Sequence, residues 1–217
     1  MRKLDAFSNS DYANFSMDEN GFKPTTPYTL NMVEPVHILG FAGSLRKDSY
    51  NKELLRVAAE LMPKDAVFAT FDLEGIPPFN QDLETRPLGK VEEFKSSIRA
   101  ADAILIATPE YNYSIPGVLK NAIDWASRPP TDNVFYDKSV AIMGASTGMI
   151  GTARAQHHLR QCFVFLNMHV VNKPEVMVSY AREKFDADGK LKDEKARKLI
   201  AELIESLIAL TETIAGH

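Results

Sequence analysis

Three segments of the chain bring together the residue types needed to hold an anion and a flat ring. The first, Gly43-Ser44-Leu45-Arg46-Lys47-Asp48-Ser49-Tyr50-Asn51, is rich in hydroxyls and backbone N–H donors and places Arg46 beside a helix start. A helix amino terminus carries unpaired N–H groups and a partial positive charge. Ser44, Ser49 and Asn51, with the Arg46 guanidinium, therefore suit a phosphate without any metal. Asp48 is compatible with that anion only if its side chain points outward. The segment has neither the GxxxxGKS/T lysine loop of triphosphate enzymes nor the GxGxxG turn of dinucleotide folds, which favours a monophosphate. Taken by itself, it also reads as an ordinary Ser or Asn helix cap with an exposed arginine.

The second segment, Thr108-Pro109-Glu110-Tyr111-Asn112-Tyr113-Ser114-Ile115-Pro116-Gly117, sets hydrogen-bonding groups beside two tyrosines. Its amides and Asn112 can read ring carbonyls and nitrogens, and a tyrosine can pack on a ring edge or face. A rigid proline-bounded turn with Ser114 capping the next helix is compatible with that role. The third, Gly144-Ala145-Ser146-Thr147-Gly148-Met149-Ile150-Gly151, has small residues that let backbone approach a ligand closely; alone it reads as a flexible crossover.

These segments must be held by the elements around them. Val36 to Ala42 is a short apolar run, and Asn51 to Leu61 places Leu54, Leu55, Ala58 and Leu61 at helical spacing. The alternation continues with a strand over Ala66 to Phe71 and a helix over Val91 to Ala101. Next come a strand over Ala103 to Ala107 and a helix over Pro116 to Ala126. A strand over Ser139 to Met143, a helix over Ala153 to Leu166, a strand over Val176 to Ser179 and a closing helix over Lys192 to Thr213 complete it. Five strands alternating with helices imply an α/β, doubly wound parallel sheet with helices on both faces. Ligands of such sheets sit at the carboxyl ends of the strands, where all three segments fall.

Composition limits the partners. Lys and Arg total 25 against 29 Asp and Glu, a net charge of −4, so no nucleic acid is expected. No apolar run approaches the roughly 20 residues that cross a bilayer, so no membrane is expected either, and Cys162 to Leu166 reads as a short buried segment. Cys162 is the only cysteine, which excludes an internal disulfide or a CxxC pair and fits a reducing, cytoplasmic setting. Among Phe163, Phe165 and Leu166 it reads as an inert thiol. Residues 1–35 lack the apolar core of a secretory signal and read as an extended or disordered arm ahead of a single domain over 36–217. If that arm packs on a neighbouring subunit, Phe7, Tyr12, Phe15, Phe22 and Tyr28 are its anchors.

GSLRKDSYN, TPEYNYSIPGVLKNAIDWASR and STGMIGTARAQHHLRQ, in this order and spacing, resemble the NAD(P)H-dependent FMN reductase family, in particular its chromate and quinone reductase branch. The resemblance covers roughly residues 36 to 210. It implies a flavodoxin-like, five-stranded sheet in the order 2-1-3-4-5 with FMN at the switch point. Carried onto this chain, it implies that Ser44, Arg46, Ser49 and Asn51 hold the FMN phosphate, with Leu45, Lys47, Asp48 and Tyr50 completing the loop. Pro109, Glu110, Tyr111 and Asn112 line the isoalloxazine and ribityl chain, and Ser146, Thr147 and Gly148 close the third side. Where many relatives have a glycine pair, this chain has Gly151-Thr152.

The implied reaction takes hydride from NADPH or NADH to bound FMN. It then passes electrons to a small acceptor, such as a quinone, chromate, an azo compound or free flavin, in a ping-pong cycle. No side chain is expected to act as a catalytic acid or base, and His157 and His158 read as helix-surface residues. Relatives are commonly dimers or tetramers, which makes a homodimer or homotetramer the expected assembly. Ile123 and Trp125 on the third helix, and Arg154, His157 and Arg160 on the fourth, are its candidate contacts, with core packing the plainer role for the first two. Two alternatives remain open: a flavodoxin-type electron carrier, and a flavin-binding or nucleotide-binding domain without catalysis.

Overall fold

A computed structural model describes residues 15–18, 21–24 and 35–216. Up to Glu34 the chain forms a unit of its own. There β1 (Phe15–Asp18) and β2 (Gly21–Pro24) pair antiparallel, with Asp18 opposite Gly21. The rest of the arm expected over residues 1–35 lies outside the described residues, apart from Pro35, which opens the second unit.

The second unit is built on five apolar segments. β5 (Ala103–Ala107) and β6 (Ser139–Ala145) are buried at every residue, the pattern of strands covered on both faces. β3 (Val36–Ala42) pairs parallel with β5 on one side and with β4 (Ala66–Phe71) on the other. β4 is the edge, and its alternating exposure reflects that position. β5 pairs parallel with β6, giving β4-β3-β5-β6. The fifth place is shared by two short strands, β7 (His169–Val170) against Ser139 and Val140, and β8 (Val176–Val178) against Met143 to Ala145. Counted from β3, this is the order 2-1-3-4-5.

The strand period divides the core in two. Ile38, Leu105 and Met143 face one layer, with α1 (Tyr50–Leu61) and α6 (Glu194–Ala215) packed over them through Leu54, Leu55, Leu203 and Leu207. Phe41, Ile104, Ile106 and Ile142 face the other. That side is covered by α2 (Gly89–Arg99), α3 (Gly117–Ala126) and α4 (Ala153–Leu166) through Phe94, Leu119 and Leu159. A short α5 (Ala181–Lys184) follows β8. At the carboxyl rim the three central strands each end in alanine, Ala42, Ala107 and Ala145, so backbone there is approachable. The ladder continues one step beyond them: Gly43 N–H donates to Ala107 O at 2.8 Å, and Thr108 N–H to Met143 O at 2.9 Å.

Three expectations change. The apolar run Cys162 to Leu166 is not a buried segment, because on a helix only positions about three and four apart share a face. Leu159, Phe163 and Leu166 point inward, while Val164 and Phe165 are 81% and 84% exposed. β6 runs on to Ala145, so the third loop starts at Ser146. The fifth strand is split, with the expected Val176 to Ser179 realised as Val176–Val178 and a separate pair of residues at His169–Val170.

Candidate functional site

The first loop leaves β3 and enters α1 through Ser49, whose hydroxyl accepts the Asn51 N–H at 3.3 Å. Ser44 accepts the Arg46 N–H in the same way, also at 3.3 Å. Both serines are buried, and both bonds use only oxygen lone pairs, so neither hydroxyl proton has a protein acceptor among the described residues. The first intrahelical bond is Glu53 N–H to Ser49 O, which leaves the first-turn amides ahead of it without a helical partner. Leu45, Arg46, Lys47 and Asp48 are exposed, and Arg46 makes no ion pair among the described residues. Asp48 is among the side chains that leave the loop's interior, as an anion there requires.

Asn51 does something the sequence did not show. Its Nδ2 donates to Ala145 O at 3.0 Å and its Oδ1 accepts the Ala145 N–H at 2.9 Å, so the start of α1 is tied to the end of β6.

The second loop folds over itself. Tyr111 and Ser114 exchange two backbone bonds, N–H to O at 3.2 and 3.0 Å, around Asn112 and Tyr113, whose φ angles are +49° and +67°. That is the two-residue hairpin turn with both central residues left-handed, a geometry that costs a tyrosine about 1–2 kcal/mol. Glu110 lies against α4 with a side chain only 10% exposed. Its Oε2 accepts the N–H of Arg154 at 2.9 Å and of Ala155 at 3.1 Å, and its Oε1 accepts from Arg154 Nη1 at 3.0 Å. A carboxylate is favoured at a helix amino terminus by the same N–H groups that favour a ligand anion. The Arg154 guanidinium stands 3.7 Å over the Tyr113 ring centroid, and one turn further along α4 His158 Nδ1 shares a 2.9 Å bond with Ser114 Oγ.

In the third loop, Ser146 Oγ donates to Gly151 O at 2.6 Å and accepts the Gly148 N–H at 3.2 Å. The N–H groups of Thr147, Met149 and Ile150 take no backbone acceptor among the described residues. Thr152 explains the departure from a glycine pair. Fully buried, its Oγ1 accepts from Gln156 Nε2 at 3.0 Å and backs onto Gly144, where an added Cβ would lie 2.1 Å from it. Gly151 keeps φ +65°, which glycine adopts without strain.

The three loops enclose two adjoining cavities. One, of about 120 Å³, is lined by Ser44, Arg46, Ser49, Tyr50, Asn51, Pro109, Glu110, Tyr111, Ala145, Ser146 and Thr147. The other, of about 360 Å³, shares Glu110, Ser146 and Thr147 and adds Asn112, Tyr113, Gly148, Met149, Ile150, Gly151 and Arg154. The structure thus gathers the expected residues at one rim, except that Leu45, Lys47 and Asp48 line neither cavity. Sequence reasoning missed Ala145, Tyr113, Met149, Ile150, Gly151 and Arg154 as lining residues. Tyr113 carried a signal, lying inside the segment already singled out. Arg154, a candidate subunit contact in the sequence, bonds Glu110 within the chain, and Arg160 donates to Val171 O at 3.0 Å and Asn172 Oδ1 at 3.1 Å.

Other candidates fall away. A groove of about 290 Å³ between α1 and β4 shares none of these residues, and its Lys52 is paired with Asp72 at 2.9 Å. Trp125 is core, its Nε1 donating to Pro77 O at 2.8 Å. Cys162 is half-buried, and burial pushes its thiol up from the ordinary value of 9.0, away from the nucleophilic form. No cluster of metal-ligating side chains occurs among the described residues.

The profile of the NADPH-dependent FMN reductase family matches residues 36–183. The chain belongs to that family. It is 54% identical over 188 residues to an NAD(P)H-dependent FMN reductase of Pseudomonas aeruginosa, covering 85% of this chain and 100% of that protein. It is 44% identical to an NAD(P)H:quinone oxidoreductase of Solanum tuberosum, covering 83% of this chain and 95% of the relative. Among solved structures, the flavoenzyme NAD(P)H:(acceptor) oxidoreductase FerB of Paracoccus denitrificans superposes with a TM-score of 0.75 at 35% identity, covering 82% of this chain and 98% of that one.

As an FMN reductase family member the protein is an FMN-dependent oxidoreductase, and its own residues fit the cofactor. The two buried serine hydroxyls with uncommitted protons, the Arg46 guanidinium and the α1 amides form a donor set for a phosphate dianion. The larger cavity, lined by Tyr113 and by third-loop residues whose N–H groups take no backbone acceptor among the described residues, has the size of a ligand-ring site.

Proposed function

We propose that this reductase binds FMN with its phosphate in the smaller cavity and its ring in the larger, and passes electrons from NAD(P)H to a quinone. When bound, FMN would supply the redox chemistry between NAD(P)H and the second substrate, in a ping-pong cycle. The chain's residues bind and orient. Ser44, Ser49, Arg46 and the α1 amides hold the phosphate; Asn51 keeps the first and third loops in register for it. Pro109, Glu110 and Tyr111, which line the smaller cavity, would flank the ribityl chain, Asn112 would line the ring, and the amides of Thr147 and its neighbours would stabilise negative charge on it.

The observation that carries this reading is the pair of buried hydroxyls whose protons have no protein acceptor among the described residues, set around a helix start beside an arginine. A neutral, flat acceptor is favoured over chromate by charge. In the larger cavity Glu110 and Arg154 neutralise one another, and the remaining wall is Tyr113, Met149, Ile150 and uncharged polar groups, with no free cation to hold a dianion. The potato relative, named a quinone oxidoreductase, supports the same choice. No helix among the described residues is long and apolar enough to cross a membrane. A cytoplasmic homodimer or homotetramer is part of the proposal, and sedimentation at micromolar concentration checks the assembly.

Anaerobic stopped-flow mixing tests it. FMN-loaded protein should lose its yellow absorbance with NADPH or NADH and regain it faster with a benzoquinone than with chromate. Protein that holds no FMN, or keeps its colour with both nicotinamides, contradicts the assignment.

A further inference from the structure

Tyr113 is held in an unusual way for a residue that is 68% exposed. Its backbone is left-handed, a conformation an L-tyrosine adopts only under constraint, and the constraint is visible. The ends of the segment are both fixed to α4, Glu110 at the first turn and Ser114 to His158 at the next. Arg154, between them on the same helix, bonds Glu110 through Nη1 and sets its guanidinium over the Tyr113 ring. Glu110, Arg154 and Tyr113 all line the larger cavity. The carboxylate is occupied by two amides and the guanidinium, so it has little acceptor capacity left for a ligand; its reach into the site runs through Arg154. Strain retained at a cavity wall, with a dedicated support, marks a side chain whose position matters more than its stability.

We propose that Glu110 and Arg154 are positioning residues for Tyr113, and that the ring they hold, exposed at the rim of the larger cavity, is the wall against which an acceptor ring packs beside the bound cofactor, so that Tyr113 sets acceptor affinity. This rests on the reductase reading above. Removing the support should loosen the wall without removing phosphate binding. The expected signature is a rise in acceptor KM that exceeds any fall in kcat.

The test uses the full-length, FMN-loaded protein with 1,4-naphthoquinone as probe, and the apoprotein for a second readout. Arg154→Met and Tyr113→Leu should each raise the naphthoquinone KM at least fivefold, a change larger than any fall in kcat. The double variant should be no worse than Tyr113→Leu alone, because both changes remove one interaction. Arg154→Lys, which keeps a cation over the ring, should restore most of the loss. In the apoprotein, hydrogen exchange over residues 111–115 should quicken in Arg154→Met and not in Arg154→Lys. A naphthoquinone KM within twofold of wild type in Tyr113→Leu overturns the proposal while leaving the reductase reading intact, and this exposed position carries the test if Arg154→Met fails to fold. Additive effects in the double variant also overturn it. Wild-type protein that takes no hydride from NAD(P)H overturns the reductase reading, and the acceptor wall with it.

Discussion

Asn51 and Ala145 lie 94 positions apart, and the side chain of one pairs with the backbone of the other as a strand would, through bonds of 3.0 and 2.9 Å. Both residues are buried, and both line the smaller cavity. Asn51→Ala removes both bonds to Ala145, a loss of roughly 1–3 kcal/mol. Urea unfolding should show that loss, and FMN should bind more weakly because the loops on either side of the phosphate are no longer tied. A variant with wild-type stability would show that the pairing contributes nothing.

Arg46 is the one side chain of the first loop that brings formal positive charge to the smaller cavity. A charge-assisted contact to phosphate is worth roughly 1.5–3 kcal/mol, so Arg46→Ala should weaken FMN about tenfold to a hundredfold. Riboflavin, which lacks the phosphate, should lose much less. Fluorescence titration of both flavins checks this; equal effects on the two would remove Arg46 from the phosphate.

Tyr113→Gly separates strain from use. Glycine relieves a left-handed penalty of about 1–2 kcal/mol and forfeits a cation–π contact of about 0.5–1 kcal/mol. Stability measured by urea unfolding should therefore stay within about 1 kcal/mol of wild type, since glycine also raises the entropy of the unfolded chain. A larger loss would make Tyr113 a structural residue.

Much of this was legible in the chain. Central strands covered on both faces are nearly uniform apolar runs, so β5 is readable to the residue and β6 from its first position. The loops were legible because hydroxyls and small residues cluster where central strands end. What stayed hidden was connection. The clasp from Glu110 to α4 and the pairing of Asn51 with Ala145 join distant segments, and no local pattern announces which side chain reaches across. Val164 and Phe165 misled for the opposite reason. Apolar composition was visible, but the helical phase that turns them outward overrides it.

Acid stability should report two carboxylates away from the site. Lys95 Nζ at 2.5 Å and Arg99 Nη2 at 2.7 Å hold the Asp132 carboxyl below its ordinary value of 3.8. Lys184 and the Ala196 N–H hold Asp193 below it as well, where Asp193 caps α6. A carboxyl depressed in the folded state favours folding when ionised, so its contribution is complete above the ordinary value and declines as pH falls through it toward the folded value. Urea-unfolding free energy should accordingly decrease as pH is lowered below about 4, and less steeply in Asp132→Asn. An identical slope in that variant would show that the ion pairs do not contribute.

The position of the phosphate is the claim on which the rest depends, and a crystal structure of the FMN complex measures it directly. The phosphate should lie within hydrogen-bond distance of Ser44 Oγ, Ser49 Oγ and the Arg46 guanidinium, with the ring between Pro109–Asn112 and Ser146–Gly148. FMN bound in the groove between α1 and β4, or with its phosphate away from the two serines, would contradict the account.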